Sequence, residues 1–213
     1  MKVVIVGGHS RIALLLTALL SRQGHTVVGT VRSESQGHDV VTAGGTPLVL
    51  DIETISVQAL AESLSGADAV VFAAGAGYGS TTRQKEGIDR DGAILLANAA
   101  EKAAVNRYVL ISSMGADYFD SGSANPFQIY LRLKSDADAD LRARALDWTI
   151  VRPSGLDDRP GSGRVQLGDG IGGGSIPRAD VAALIARLLS EGVGIRHQFE
   201  VTSGSERIED LVF

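Results

Sequence analysis

Short runs of apolar and β-branched residues alternate with longer amphipathic segments along the whole chain. The strand candidates are Lys2–Val6, Thr26–Val31, Pro47–Leu50, Ala69–Phe72, Tyr108–Ile111, Thr149–Val151 and Gln198–Val201. The helix candidates are Arg11–Gln23, Ser56–Ser65, Arg83–Ala104, Phe127–Ala145 and Arg178–Ser190. Three of the strands (VVIV, AVVF and YVLI) are continuous apolar runs, which is typical of parallel strands buried on both faces. The alternation predicts an α/β fold with a doubly wound parallel sheet.

The chain length of 213 residues suits one domain, residues 1–213, with a small C-terminal substrate-binding portion. Glycine is concentrated in the segment Gly155–Ser175. Because a helix and a strand follow this segment, we interpret it as a mobile substrate loop, with a linker as the alternative.

Charge and composition narrow the range of partners. The sequence has 25 acidic and 20 basic residues, a net charge of −5, which argues against nucleic acid or a membrane surface as a partner. It has no cysteine, so disulfides and thiolate chemistry are excluded, and a reducing compartment fits. The apolar run Val3–Val6 is too short for a signal peptide, and the most apolar helix, around Ile12–Leu20, is too short to span a bilayer. We expect a soluble cytoplasmic protein, a monomer or homodimer, with a small-molecule substrate.

The stretch GGHSRIA, Gly7–Ala13, follows the first strand and fits two patterns. A hydrolase nucleophile elbow, G-x-S-x-G, would need glycine where Ile12 stands, and no suitable Asp–His pair follows. Small residues at positions 7, 10 and 13 instead match a G-x-x-G-x-x-G turn that binds a pyrophosphate. Serine and alanine replace two of its glycines, so a simple tight turn is the alternative. The residues expected to contact a dinucleotide here are Gly7, His9, Ser10, Arg11 and Ile12.

The end of the second strand indicates which dinucleotide is bound. Proteins that bind NAD place an acidic residue about 20 positions after the loop. Here the sequence is Thr30-Val31-Arg32, and an arginine at this place suits the 2′-phosphate of NADP. The expected cofactor is therefore NADP(H) rather than NAD(H), with a solvated surface arginine as the alternative.

A series of local motifs extends along nearly the whole chain. These motifs are GGHSRIA, TVRS, LDIET, VFAAGAG, IDRDGAILLANAAEKAAVNRYVLISSMGA, YLRLK, TIVRPSGL and IPRADVAALIARLL. In their order and spacing they resemble the atypical short-chain dehydrogenases/reductases, which have a Rossmann-type fold. The chain is similar to the small NAD(P)H-binding members, which include NmrA-like proteins and relatives of the NAD-dependent epimerases/dehydratases.

The resemblance implies a set of cofactor contacts along the chain. Asp51 and Ile52 would border the adenine, and Pro153 and Ser154 would approach the nicotinamide. Asp89 stands where relatives have a structural Asn or Asp. The residues that would line the middle of the cofactor are Ala73, Ala74 and Gly75.

The resemblance also implies catalytic residues. Tyr130 and Lys134 match the Y-x-x-x-K pair of the superfamily, and Ser112 or Ser113 matches its active-site serine. Residues four apart share one face of a helix, and a nearby ammonium favours the phenolate form of a tyrosine. Such a tyrosine can exchange a proton with substrate while the nicotinamide exchanges a hydride, and Lys134 can also bind the nicotinamide ribose.

This pattern favours an NADP(H)-dependent oxidoreductase that acts on a small carbonyl, hydroxyl or sugar-like substrate. One alternative is a redox sensor that binds NADP(H) without turnover. Another is an epimerase or dehydratase with a retained cofactor. A purely structural Tyr–Lys helix pair is the remaining alternative, since Y-x-x-x-K also arises by chance.

Two further features of the sequence, an aspartate run and a loop tyrosine, are not assigned to catalysis. Asp136, Asp138 and Asp140 imitate a calcium loop but lack its glycine, so we expect a solvated helix face with Asp138–Arg142 and Asp140–Arg144 pairs. No metal site is expected, because the histidines lack ligand spacing. Tyr78 could cover the bound cofactor, or it could be a loop aromatic without a role.

Overall fold

A mostly parallel sheet runs through the centre of the computed structural model, which describes residues 1–77 and 79–213. Tyr78, considered above as a cover for the cofactor, lies outside the described residues. The strands are β1 (Lys2–Val6), β2 (Thr26–Val31), β3 (Thr46–Val49), β4 (Ala69–Phe72), β5 (Arg107–Ile111), β6 (Asp147–Pro153), β7 (Gly155–Asp157), β8 (Arg164–Gly168), β9 (Ser175–Pro177), β10 (His197–Ser203) and β11 (Glu206–Arg207).

The central sheet has the strand order β11-β8-β10-β6-β5-β4-β1-β2-β3, and β7 pairs with β9 in a second sheet. From β3 to β10 all neighbouring strands are parallel, and β8 and β11 add an antiparallel edge. The predicted doubly wound Rossmann-type fold is confirmed. Its strand order reverses between β1 and β4, the place where such sheets open a crevice at the carboxyl ends of their strands.

Helices cover both faces of the sheet. They are α1 (Arg11–Arg22), α2 (Glu34–Thr42), α3 (Val57–Ser63), α4 (Thr82–Lys85), α5 (Ala93–Lys102), α6 (Pro126–Arg142) and α7 (Arg178–Ser190). A π-helical segment, Glu86–Gly92, joins α4 to α5, and a 3-10 turn spans Ile208–Asp210. Across the described ranges, every helix is too short or too polar to cross a membrane.

The continuous apolar strands separate two hydrophobic cores. Along β1, Val3 and Ile5 pack into the core under α1 and α7, while Val4 and Val6 pack into the core under α3, α5 and α6. Because successive side chains of a strand point to opposite faces, both faces must be apolar when both are covered. We refer below to the α1/α7 layer and the α3/α5/α6 layer.

The sequence locates the apolar elements better than the polar ones. Strands β1, β2 and β4 and helix α7 have the predicted bounds. Helix α2, ESQGHDVVT, has no prediction, because only Gly37 and Val40 of its nine residues are buried and the chain shows no clear apolar period there.

The segment Gly155–Ser175, interpreted above as a loop, contains regular strands. It contains β7, β8 and the first residue of β9, and β8 pairs antiparallel with β10. The buried carboxylate of Asp180 accepts the backbone N–H of Gly163 at 2.8 Å and that of Ser162 at 3.0 Å. Strand β8 pairs with a strand that is distant along the chain, and the glycine content of the segment does not predict such pairing.

The interpretation of Asp138 as part of a solvated helix face is wrong. Asp138 is fully buried, and its partner is Arg152 on β6 rather than Arg142, with Nε to Oδ2 at 2.9 Å. The predicted Asp140–Arg144 pair is present, with Nε to Oδ2 at 2.6 Å. Asp138 lies one turn after Lys134, which is also buried, so both residues are on the inner face of α6.

We predict that Asp138→Ala destabilises the fold by about 3 kcal/mol, since removing one partner of a buried ion pair leaves the other incompletely compensated. Asp136→Ala on the exposed face of the same helix is the matched control, with an expected cost below about 0.5 kcal/mol. The free energy of unfolding in urea measures both. Equal effects of the two substitutions would contradict the structural role of Asp138.

Candidate active site

Two adjoining cavities open at the carboxyl ends of the central strands. The first has a volume of about 190 Å³ and lies beyond β1 and β2. The second has a volume of about 770 Å³ and extends past β4 and β5 to α6. Ser10, Ala74 and Gly75 line both, so the two cavities share a wall. Together they form one crevice across the point where the strand order reverses.

The wall between the cavities depends on a close approach of backbones. Gly7 has a φ of +83°, and a Cβ there would lie 2.5 Å from the Ala74 Cα. A Cβ on Gly8 would lie 2.5 Å from the Gly29 Cα. The Ser10 hydroxyl accepts the N–H of Ala13 at 3.3 Å and caps α1, while the N–H groups of Arg11 and Ile12 at the start of the helix have no acceptor within it. This turn can receive an anion.

The first cavity gathers several of the residues predicted to contact the cofactor. Gly7, His9, Arg32, Asp51 and Ile52 line it. The Arg32 side chain is exposed and, among the described residues, has no carboxylate within 4 Å. The His9 Nε2 lies 2.7 Å from the Asp39 Oδ2, which ties the first loop to α2.

The second cavity gathers Tyr130, Lys134 and Ser112. Tyr130 and Lys134 lie one turn apart on α6, and the lysine Nζ is 5.9 Å from the centre of the tyrosine ring. The Lys134 Nζ donates to the carbonyl oxygen of Ile111 at 2.9 Å, at the end of β5. Arg11, Ile12 and Ala73 also line this cavity. The helix spacing and the strand end therefore place the predicted catalytic groups in one space.

Asp89 enters this site from the π-helical segment. The carboxylate is almost fully buried, accepts the N–H of Ala76 at 3.2 Å and lies 3.9 Å from the Lys134 Nζ. An extra residue in a helical turn re-aims the side chains that follow it, and such segments are frequent at functional sites. Here the π-helical turn directs Asp89 toward Lys134.

The hydroxyl of Ser112 belongs to a buried hydrogen-bond network with Asp138 and Arg152. Its hydroxyl donates to the Asp138 Oδ2 at 2.8 Å, and Arg152 binds the same oxygen. Arg152 also binds both carboxylate oxygens of Asp117, at 2.5 and 2.8 Å. Burial raises the pKa of the Asp138 carboxyl, against the opposing effect of Arg152 and Ser112. The pKa of Asp117 is lowered by its hydrogen bonds to Arg152.

Three predicted site residues lie outside the walls of both cavities. Ser113 donates to the carbonyl oxygen of Met114 at 3.2 Å, so Ser112 is the serine of this pair that faces the second cavity. Pro153 and Ser154 are buried at the end of β6, where the Ser154 hydroxyl donates to the Thr202 Oγ1 at 2.9 Å.

The second cavity also has wall residues that the sequence reasoning missed. They include Lys85, Phe127, Leu156 and Arg178. Arg178 follows Pro177 at the start of α7, inside the motif IPRADVAALIARLL. Its position directly after a strand is a feature from which the sequence could have predicted a site residue. Lys85 gives no such signal, because its location depends on the loop after β4 and on the π-helical segment.

Comparisons with known proteins identify the family of the chain. The profile of a family described as NAD(P)H-binding matches residues 7–192. The chain is 32% identical to the uncharacterized sugar epimerase YhfK of Bacillus subtilis (strain 168), over the full chain and 99% of that protein. It is 31% identical to the UPF0659 protein YMR090W of Saccharomyces cerevisiae, over the full chain and 97% of that protein.

Solved structures show the same fold. A protein from Bacillus halodurans, provisionally named an NAD-dependent epimerase/dehydratase, superposes with a TM-score of 0.90. It is 34% identical, over 98% of this chain and 96% of that one. The oxidoreductase ylbE of Lactococcus lactis superposes with a TM-score of 0.85 at 25% identity, over 99% of this chain and 94% of that one. The chain therefore belongs to the NAD(P)H-binding family, among the atypical short-chain dehydrogenases/reductases.

Proposed function

We propose that this protein is an NADP(H)-dependent oxidoreductase that acts on a small carbonyl or hydroxyl compound. The observation that carries the proposal is the single crevice whose first part has Arg32 and Asp51 and whose second part has Tyr130, Lys134 and Ser112. A dinucleotide lying along this crevice would reach from the arginine to the tyrosine.

The residues fit this cofactor in charge as well as in shape. The glycine turn and the start of α1 would hold the pyrophosphate, where helix N–H groups favour an anion. Arg32 would bind the 2′-phosphate, because its guanidinium is exposed and has no carboxylate within 4 Å in the described part of the chain. Asp51 and Ile52 would border the adenine. Ala73, Ala74 and Gly75, which have small side chains, would leave room for the middle of the cofactor.

The side chains of this protein would transfer a proton to or from the substrate, beside the nicotinamide that exchanges the hydride. When bound, the nicotinamide supplies or removes the hydride. In the reducing direction Tyr130 would donate its hydroxyl proton to the substrate oxygen, and in the oxidising direction it would accept that proton. Lys134, whose Nζ lies 5.9 Å from the centre of the Tyr130 ring, would donate hydrogen bonds to the nicotinamide ribose.

Ser112 would orient the substrate as a hydrogen-bond acceptor. Since its proton already points to Asp138, the lone pairs of its oxygen are the part available to the cavity. A substrate hydroxyl can donate to them. This supports a hydroxyl-bearing form of the substrate at this position.

Epimerase or dehydratase chemistry is a second candidate, favoured by the names of the Bacillus relatives. In that chemistry the cofactor stays bound and takes back its hydride, and the same Tyr130 and Lys134 would move the proton. A cofactor that co-purifies in stoichiometric amount and is released only on unfolding would favour it. A cofactor that exchanges freely would favour the oxidoreductase.

We predict that Tyr130→Phe lowers kcat for NADPH-dependent reduction of a carbonyl panel by roughly a hundredfold or more, since the proton donor is lost. The dissociation constant for NADPH should remain unchanged. Steady-state rates and calorimetry measure the two quantities. Unchanged turnover in Tyr130→Phe would refute the catalytic role, and NADPH binding without turnover in the wild-type protein would favour a redox sensor.

We predict that Arg32→Ala weakens NADPH binding by roughly ten- to a hundredfold and leaves NADH binding unchanged, because only NADPH has the 2′-phosphate. Arg22→Ala, an exposed arginine at the opposite end of α1, is the matched control and should affect neither cofactor. Calorimetric titration of the cofactor-free protein provides the constants. Equal wild-type affinities for NADPH and NADH would contradict the assignment of NADP(H).

A further inference from the structure

The wall of the second cavity is cationic in a protein whose net charge is −5. Four of its lining residues are cations, and Asp89 is its single carboxylate within the described residues. The cations are Arg11, Lys85, Lys134 and Arg178. A positive cavity on an acidic protein raises the local concentration of anions.

Three of these cations have a carboxylate nearby. Arg178 lies 2.8 Å from Asp158, and Arg11 contacts the same carboxylate. Lys134 lies 3.9 Å from Asp89. Lys85 differs, because no carboxylate of the described chain lies within 4 Å of its ammonium.

Lys85 is nevertheless buried, with 8% of its surface exposed. Its Nζ donates to the Ser80 carbonyl oxygen at 2.9 Å and to the Ser80 hydroxyl at 3.1 Å. An ammonium has three N–H donors, and the described residues supply no further acceptor. A lysine is rarely buried without an ionic partner, because loss of hydration disfavours its charge. Its lining position leaves room for an anion in the cavity.

Lys85 belongs to a different element from the turn that would hold the cofactor phosphates. The pyrophosphate turn precedes α1, in the α1/α7 layer. Lys85 ends α4, which packs against α6, the helix of Tyr130 and Lys134 in the opposite layer. An anion bound at Lys85 would therefore lie on the catalytic side of the crevice.

Apolar groups complete the wall around this site. Phe127 is largely exposed and stacks on Tyr130, with ring centres 6.1 Å apart. Pro126 and the partly exposed Leu156 line the same cavity. These side chains can cover the planar or apolar body of a small molecule whose charged end reaches Lys85.

We propose that Lys85 binds an anionic group, a carboxylate or a phosphate, of the substrate, so that the substrate class is small anionic carbonyl or hydroxyl compounds with an apolar body. This rests on the proposed function, since it places the anion beside Tyr130 and the nicotinamide end of the crevice.

The test is calorimetric titration of the NADP⁺-saturated protein and of the cofactor-free protein with benzoate, phenyl phosphate and the neutral analogue benzamide. The wild type should bind benzoate or phenyl phosphate roughly tenfold or more tightly than benzamide, the size expected for one charge-assisted hydrogen bond. Tighter binding of benzoate would indicate a carboxylate as the anionic group, and tighter binding of phenyl phosphate would indicate a phosphate. Lys85→Met and Lys85→Gln should lose the preference, and Lys85→Arg should retain it.

Two controls show whether the anion preference belongs to Lys85. Lys102→Met removes an exposed lysine at the end of α5 and should keep the preference. NADP⁺ affinity should be unchanged in the Lys85 variants, which also shows that they are folded. A preference that is absent in the wild type, or that survives in Lys85→Met and Lys85→Gln, would overturn the proposal.

Failure of the proposed reaction would give a different result. Absence of NADPH oxidation with both 4-carboxybenzaldehyde and 4-methylbenzaldehyde, with a Lys85-dependent preference for benzoate or phenyl phosphate retained, would remove the oxidoreductase function and support the anion site. Turnover of both aldehydes at equal kcat/KM, with no anion preference in binding, would support the reaction and refute the anion site.

Discussion

The close approach of the β1 end to its two neighbours is the constraint on which the site depends. A side chain at Gly7 would collide with the backbone at Ala74, and one at Gly8 would collide with the backbone at Gly29. With glycine at both positions, the first loop turns tightly and delivers the start of α1 to the crevice. Ser10 and Ala13, which replace two glycines of the familiar pattern, keep this geometry because Ser10 caps the helix through the N–H of Ala13.

The catalytic side of the crevice is organised by buried charges in the α3/α5/α6 layer. Asp138 and Arg152 link α6 to β6 and fix the proton of Ser112, while Asp89 lies beside Lys134. These carboxylates give α6 a fixed position relative to the sheet, so that Tyr130 and Lys134 face the cavity. Buried ion pairs stabilise little by themselves, yet removal of one partner is costly, and this makes the arrangement specific. The Ser112 oxygen and the Lys85 ammonium then define the polar groups that a substrate would meet.

The sequence predicts those features that depend on local periodicity. The strands β1, β2 and β4 are recognisable because they are apolar on both faces, and the i, i+4 spacing places Tyr130 and Lys134 on one side of α6. Features that depend on distant partners are not predictable in this way. Asp138 has Arg142 as its local candidate, whereas its actual partner lies on a strand that pairs in the sheet. Strand β8 is ordered by β10, and Lys85 is positioned by a π-helical segment, so neither has a local signal.

A crystal structure of the protein with bound NADP⁺ would test the central claim most directly. We expect the 2′-phosphate to contact Arg32, the pyrophosphate to lie over the turn at Gly7–Ala13, and the nicotinamide ribose to lie within hydrogen-bond distance of Lys134. A cofactor bound with its nicotinamide away from Tyr130, or with its 2′-phosphate away from Arg32, would contradict the assignment of the crevice as an NADP(H)-dependent active site.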